Sequence, residues 1–143
     1  MAQTAILLPV YGQVFLTFAI LISMGSARAG SLRAARKNMN DATVALGTFA
    51  WSDEATKRAN SFRNQFELPV LFYAVVAFAV LTRQADVWMT GLAWGFVVSR
   101  IAHAAIHIGP NVVAWRFAVY LAGATLLLVM WVLLAMRTIA FAG

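Results

Sequence analysis

The sequence predicts an all-α integral membrane protein folded as a four-helix transmembrane bundle. Charged residues make up 11% of the chain, against about 25% in an average soluble domain. Mean hydropathy is +0.78, and the apolar residues gather into four runs. Each run is long enough to cross a hydrocarbon core of roughly 30 Å at 1.5 Å rise per residue, the second only with its polar lead-in included. Helices satisfy their own backbone polar groups in lipid, where lone strands cannot. No alternating ten-residue segments of the kind that build a barrel stand out.

The elements follow in order within a single domain, 1–143. The first span, 4–27, opens "MAQTAILLPV" without a basic residue ahead of it. Its apolar stretch of roughly 20 residues reads as a retained span rather than a cleaved secretory signal. A long polar loop, 28–59, separates it from the second span, 60–82, which begins with a polar lead-in. The third span is 87–108 and the fourth 112–137. The links "TRQAD" and "GPN" are short, so the last three spans are antiparallel neighbours.

Net charge is +6, and no cysteine is present. Disulfides, thiolate metal sites and cysteine nucleophiles are therefore excluded. In a membrane chain a basic balance points to topology and anionic lipid before nucleic acid, and nucleic acid is not expected as a partner. Arg28, Arg33, Arg36, Lys37, Lys57 and Arg58 crowd the first loop, while the second link holds Arg83 alone. The positive-inside rule puts the first loop in the cytoplasm and both termini on the opposite side. Arg137, at the far end of the fourth span, counts against this.

With that orientation, three spans carry their ionisable groups at one depth. Arg63, Asn64 and Glu67 open the second span, Arg100, His103 and His107 close the third, and Arg116 and Tyr120 open the fourth. Measured along the helices from "GPN", Arg116 lies about 8 Å in and Arg100 about 13 Å. Spacings of three and four residues place Arg100, His103 and His107 on one helix face, Arg63 with Glu67 on another, and Arg116 with Tyr120 on a third. A charge within a span costs about 2.5–3.5 kcal/mol or more on insertion scales, so such groups face the bundle interior or a wet cavity. Three arginines against one glutamate make the expected cavity electropositive, a site for an anion.

Plainer readings compete residue by residue. Glu67 equally suits a structural ion pair with Arg63 or Arg100. Arg116, near a helix start, can reach the headgroups by snorkelling. A lone buried histidine more often satisfies a core than binds a ligand, and His107 sits near the interface. No metal is expected, because the two histidines lack a third ligand. None of these readings explains why arginines outnumber the acid.

At these residues the chain resembles the membrane-associated proteins in eicosanoid and glutathione metabolism, the MAPEG family. "RNQFELPVLF" carries the family's asparagine, glutamate, proline and aromatic at Asn64, Glu67, Pro69 and Phe72. Arg100, His103, Arg116 and Tyr120 are similar to the branch of microsomal prostaglandin E synthase and microsomal glutathione transferase. The resemblance implies a homotrimer with glutathione held between subunits near the cytoplasmic side. It also implies that Arg63, Asn64, Glu67, Arg100 and His103 position the tripeptide. His107 and Tyr120 belong to the same binding set, and Arg28 is placed to join it. Arg116 then takes the catalytic role of favouring the thiolate, since a cation beside a thiol lowers its pKa from about 8.5.

Three positions depart from that branch: Asn60 stands where a basic residue is common, His107 where a tyrosine is, and Phe117 where the synthase has serine. The expectation is a glutathione-dependent transferase or peroxidase acting on lipophilic small molecules that partition into membrane lipid. The alternative is a non-catalytic lipid-binding or scaffold protein of the same fold. A transporter fits less well, because the polar groups stop halfway across.

Overall fold

The computed structural model describes residues 2–142. Among these all regular secondary structure is helical: α1 (Ala2–Ala5), α2 (Leu7–Ala34), α3 (Ala42–Ala45), α4 (Asp53–Arg63), α5 (Leu68–Leu81), α6 (Val87–Ile108) and α7 (Val113–Ala142), with a 3₁₀ turn at Asn64–Phe66. Four stretches are long and apolar enough to cross a membrane: Leu7–Ala34, Asp53–Leu81, Val87–Ile108 and Val113–Ala140. The protein is a multi-pass four-helix membrane bundle.

Local chemistry sets the ends. Asp86 caps α6 by accepting from the Met89 N–H at 2.8 Å, and Ser52 caps α4 by accepting from the Ala55 N–H, each satisfying an otherwise orphaned donor. Asp53 and Glu54 then place negative charge at the positive end of the α4 dipole. At the other end of α2, Lys37 N–H reaches the Leu32 carbonyl and Arg36 N–H the Arg33 carbonyl, with Arg36 in the left-handed region. This is a Schellman stop. Arg83 closes α5 in the same way, through Gln84 to Ala79.

Two expected boundaries are corrected. Loop 28–59 is shorter than the composition implies, because α2 runs on to Ala34 and α4 starts at Asp53. Polar residues do not end a helix that leaves the membrane; a cap or a left-handed residue does. The second span is also not one continuous helix. Pro69, in the first turn of α5, lacks an N–H and crowds the carbonyl four residues back, so the chain opens at Asn64–Phe66 and Glu67 takes φ −93°, ψ −102°.

Packing centres on α6. Phe72 of α5 stacks on Phe96 of α6 at 4.6 Å, and Val75, Val76, Met89, Ala93, Val97, Leu127 and Met130 are buried around them. Helices α6 and α7 touch most closely at small residues. Gly95 lies against Leu126, and Gly123 faces the Ser99 side chain so closely that a methyl there would overlap its hydroxyl. At the far end Arg137 of α7 pairs with Asp86 at 2.8 Å and donates to the Gln84 carbonyl. Burial raises the Asp86 pKa, but the Met89 N–H and Arg137 outweigh it and leave the carboxyl below its usual value. The charge of Arg137 is thus compensated locally.

Two predictions test these features. Gly123→Ala should lower the stability of the detergent-solubilised protein by about 1–3 kcal/mol, while Gly91→Ala, which meets open space, should stay within about 0.5 kcal/mol; thermal unfolding of the two variants measures the difference. The second concerns the turn at α3, where Asp41 is held down to about 2 by the Thr43 hydroxyl first, and then by Lys37 and the Thr43 N–H. A depressed acid stabilises the turn fully above its ordinary value of 3.8 and ceases to as pH falls through about 2. The protection factor of the Thr43 amide, the intrinsic exchange rate divided by the observed one at the same pH, should accordingly hold at pH 5 and fall progressively below pH 4.

Candidate functional site

The site forms where the 3₁₀ turn, α6 and α7 meet beside the α6–α7 turn. The turn is built by Asn111, whose left-handed φ of 51° suits asparagine and whose N–H returns to the Ile106 carbonyl at 2.7 Å. Its side chain serves the site as well. The Asn111 Oδ1 accepts from Arg116 Nη1 at 2.7 Å, anchoring the arginine from behind.

Helix α6 supplies one polar face. Arg100, His103 and His107 are all buried, Arg100 with no exposed surface. Arg100 Nη2 lies 3.3 Å from His103 Nδ1. A guanidinium only donates, so Nδ1 accepts and the His103 proton sits on Nε2. The Arg100 guanidinium also covers the ring of Tyr120 at 5.5 Å, while its Nε and Nη1 have no hydrogen-bond partner among the described residues. His103 touches His107 edge-on at 5.7 Å and Tyr120 at 5.8 Å. From the 3₁₀ turn, Asn64 Nδ2 approaches His107 Nδ1 at 3.4 Å.

These groups enclose a cavity of about 340 Å³ lined by Asn60, Asn64, His103, His107, Val113, Arg116, Phe117 and Tyr120. The volume falls at the lower end of small-molecule sites. Among the described residues no acid lines it, so the one fixed charge in its lining is Arg116, with Arg100 buried behind His103 and Tyr120. Amide, imidazole, phenol and guanidinium donors converge on one space, which suits an anionic ligand with several polar groups. Among the described residues no cluster could hold a metal ion.

Of the residues singled out in the sequence, Asn64, His103, His107, Arg116 and Tyr120 line the cavity, and Arg100 lies directly behind it. Arg63 and Glu67 are exposed and do not line it. No ion pair joins Glu67 to Arg63 or Arg100 among the described residues, since the helix break at Pro69 removes the regular four-residue spacing that would bring Arg63 and Glu67 together. Arg28 stands apart on α2, its guanidinium over the Trp51 ring at 5.0 Å. Sequence reasoning missed Val113 and Asn111 and undervalued Phe117 and Asn60. Val113, Phe117 and Tyr120 share one face with Arg116, and Asn60 lies four residues before Asn64, so helical spacing would have found all but Asn111.

Fold and site together define a polytopic membrane protein with a cationic, donor-rich pocket at one end of its bundle. The chain belongs to the MAPEG family, whose model matches residues 6–136, and is thus a membrane protein of the kind that serves glutathione and eicosanoid metabolism. No curated protein and no solved structure matches it.

The anchoring of Arg116 can be tested directly. Asn111→Gly keeps the left-handed turn but removes the acceptor. It should leave the melting temperature nearly unchanged while weakening anion binding about tenfold, roughly 1.4 kcal/mol, as read by calorimetry with a carboxylate-bearing thiol peptide.

Proposed function

We propose that this chain is a glutathione-dependent transferase or peroxidase acting on lipophilic electrophiles dissolved in the bilayer. The observation that carries the reading is the cavity whose single fixed charge is Arg116, ringed by neutral donors and lined by no acid. Glutathione brings carboxylates, an amine and a thiol, and such a donor set meets the first and the last. Arg116 is the residue proposed to stabilise the thiolate, because a fixed cation beside sulfur favours its ionised, nucleophilic form. His103, His107, Asn64 and Tyr120 position the peptide, and Arg100 adds positive potential from behind. This resembles most the branch of microsomal prostaglandin E synthase and glutathione transferase.

Arg28, Arg63 and Glu67 complete the proposal only in an assembly. None of them lines the cavity of its own chain, and Arg63 and Glu67 are exposed, as residues of a homotrimer that shares its sites between neighbours would be. The pocket then opens toward the cytoplasm, with the 28–59 segment on that side and both termini opposite, as the lysine and arginine distribution favours. Phe117 and Val113 form an apolar wall on which a lipophilic second substrate can rest.

The same apolar wall favours the second reading, a non-catalytic lipid-binding or scaffold protein. Phe117 lengthens the greasy side of the pocket, and Asn60 brings no charge to its mouth. Calorimetry with glutathione distinguishes the two. The wild type should bind, and Arg116→Ala should bind about 10- to 150-fold more weakly, the range for a lost charged hydrogen bond. Glu67→Gln, tested in the same assembled protein, should also weaken binding if neighbouring chains share the site. Glutathione at a hundred times its dissociation constant should stabilise the protein by about 2.7 kcal/mol. No binding by folded wild type at millimolar glutathione would reject the transferase reading and leave the scaffold one.

A further inference from the structure

The helix break that carries Asn64 is fastened from its far side. Pro69 forces the opening, and the 3₁₀ turn that fills it has three residues per turn, so its side chains leave about 120° apart. Asn64 lines the cavity, Phe66 is exposed, and Gln65 is turned against α2 with 2% of its surface exposed. There Gln65 Nε2 donates to the Ser61 carbonyl at 3.2 Å, and its Oε1 accepts from Gln13 Nε2 at 3.0 Å. Gln13, on α2, is completely buried.

Packing alone does not account for this pair. An apolar pair of the same shape would join α2 to the turn without leaving buried polar atoms unmet. Here the Gln13 Oε1 and the Ser61 hydroxyl have no hydrogen-bond partner among the described residues. What an amide pair adds is direction. A hydrogen bond between two buried side chains specifies the rotation of the turn, whereas apolar contact tolerates several.

We infer that Gln13 and Gln65 are positioning residues for the cavity. Their bond fixes the rotation of the 3₁₀ turn, and through it holds Asn64 against His107. Turning the segment by one residue's angle would put Phe66 or Gln65 in the place of Asn64 and remove an amide from the pocket wall. The affinity consequence rests on the proposed glutathione reading; the geometry does not.

The experiment uses Gln13→Met, Gln65→Met and the double variant of the full chain in lipid nanodiscs. Methionine nearly matches glutamine in length and keeps the packing. The first readout needs no ligand: the imidazole nitrogen resonances of His107 in histidine-labelled protein, assigned with His103→Gln and referenced to Asn64→Ala. Each methionine variant should move the His107 signal in the direction that Asn64→Ala moves it, with the melting temperature little changed in the double variant, where neither amide is left unpaired. The second readout is glutathione affinity, expected to fall about tenfold in Gln65→Met and to show no further loss when that change is added to Asn64→Ala.

An unmoved His107 signal in the folded double variant overturns the inference, and so does a fully additive loss of affinity. Should the double variant misfold, Gln13→Met alone decides, because it leaves the sequence of the turn intact. If the wild type binds no glutathione, the function proposed above falls, and the His107 resonance still decides the positioning role.

Discussion

The enclosure of the Arg100 guanidinium is the constraint around which this end of the bundle is arranged. A charge with no exposed surface inside a membrane helix has to be surrounded by groups that tolerate it. His103, one turn along, accepts from it, and Tyr120 of the next helix presents its ring face. For Tyr120 to reach that position α6 and α7 must approach closely, and Gly95 and Gly123 allow this by leaving room for Leu126 and Ser99. The cavity in front of His103 is therefore a consequence of how the arginine is housed. Its positive potential comes partly from a residue that does not touch it, because a buried charge acts over a longer range where the dielectric is low.

The proline break divides labour along the second span. Above it, α5 is an ordinary apolar helix packed into the core through Phe72, Val75 and Val76. Below it, α4 is polar and tied to α2 by Arg58 to Ser23, by Ser52 to Ser31 and by the glutamine pair. The break itself exposes Arg63 and Glu67 while turning Asn64 inward. A continuous helix would have set Arg63 and Glu67 on one side.

The two ends of the bundle are electrically unlike. At one end Asp86 and Arg137 neutralise each other across the α6 cap and the α7 end. At the other, Arg100 and Arg116 have no carboxylate within ion-pair distance among the described residues. Their partners are neutral: an imidazole, a phenol and the Asn111 amide. That asymmetry leaves one end of the bundle cationic and the other electrically balanced.

Much of this was legible in the sequence, for a physical reason. Lipid admits few backbone solutions, so four long apolar runs already imply four helices, and a charge within a span must turn inward. The three- and four-residue spacing of Arg100, His103 and His107 gave the polar face of α6, and Arg116 with Tyr120 gave that of α7. Contacts between residues distant in the chain were not legible. Nothing in the spacing joins Gln13 to Gln65 across fifty-two positions, or assigns Asn111 of the turn to Arg116. The fate of Glu67 was decided by Pro69, which converts regular spacing into a kink whose direction depends on what packs against it. Periodicity and solvent exclusion fix which residues face inward, but only the packing of one helix on another decides which of them meet.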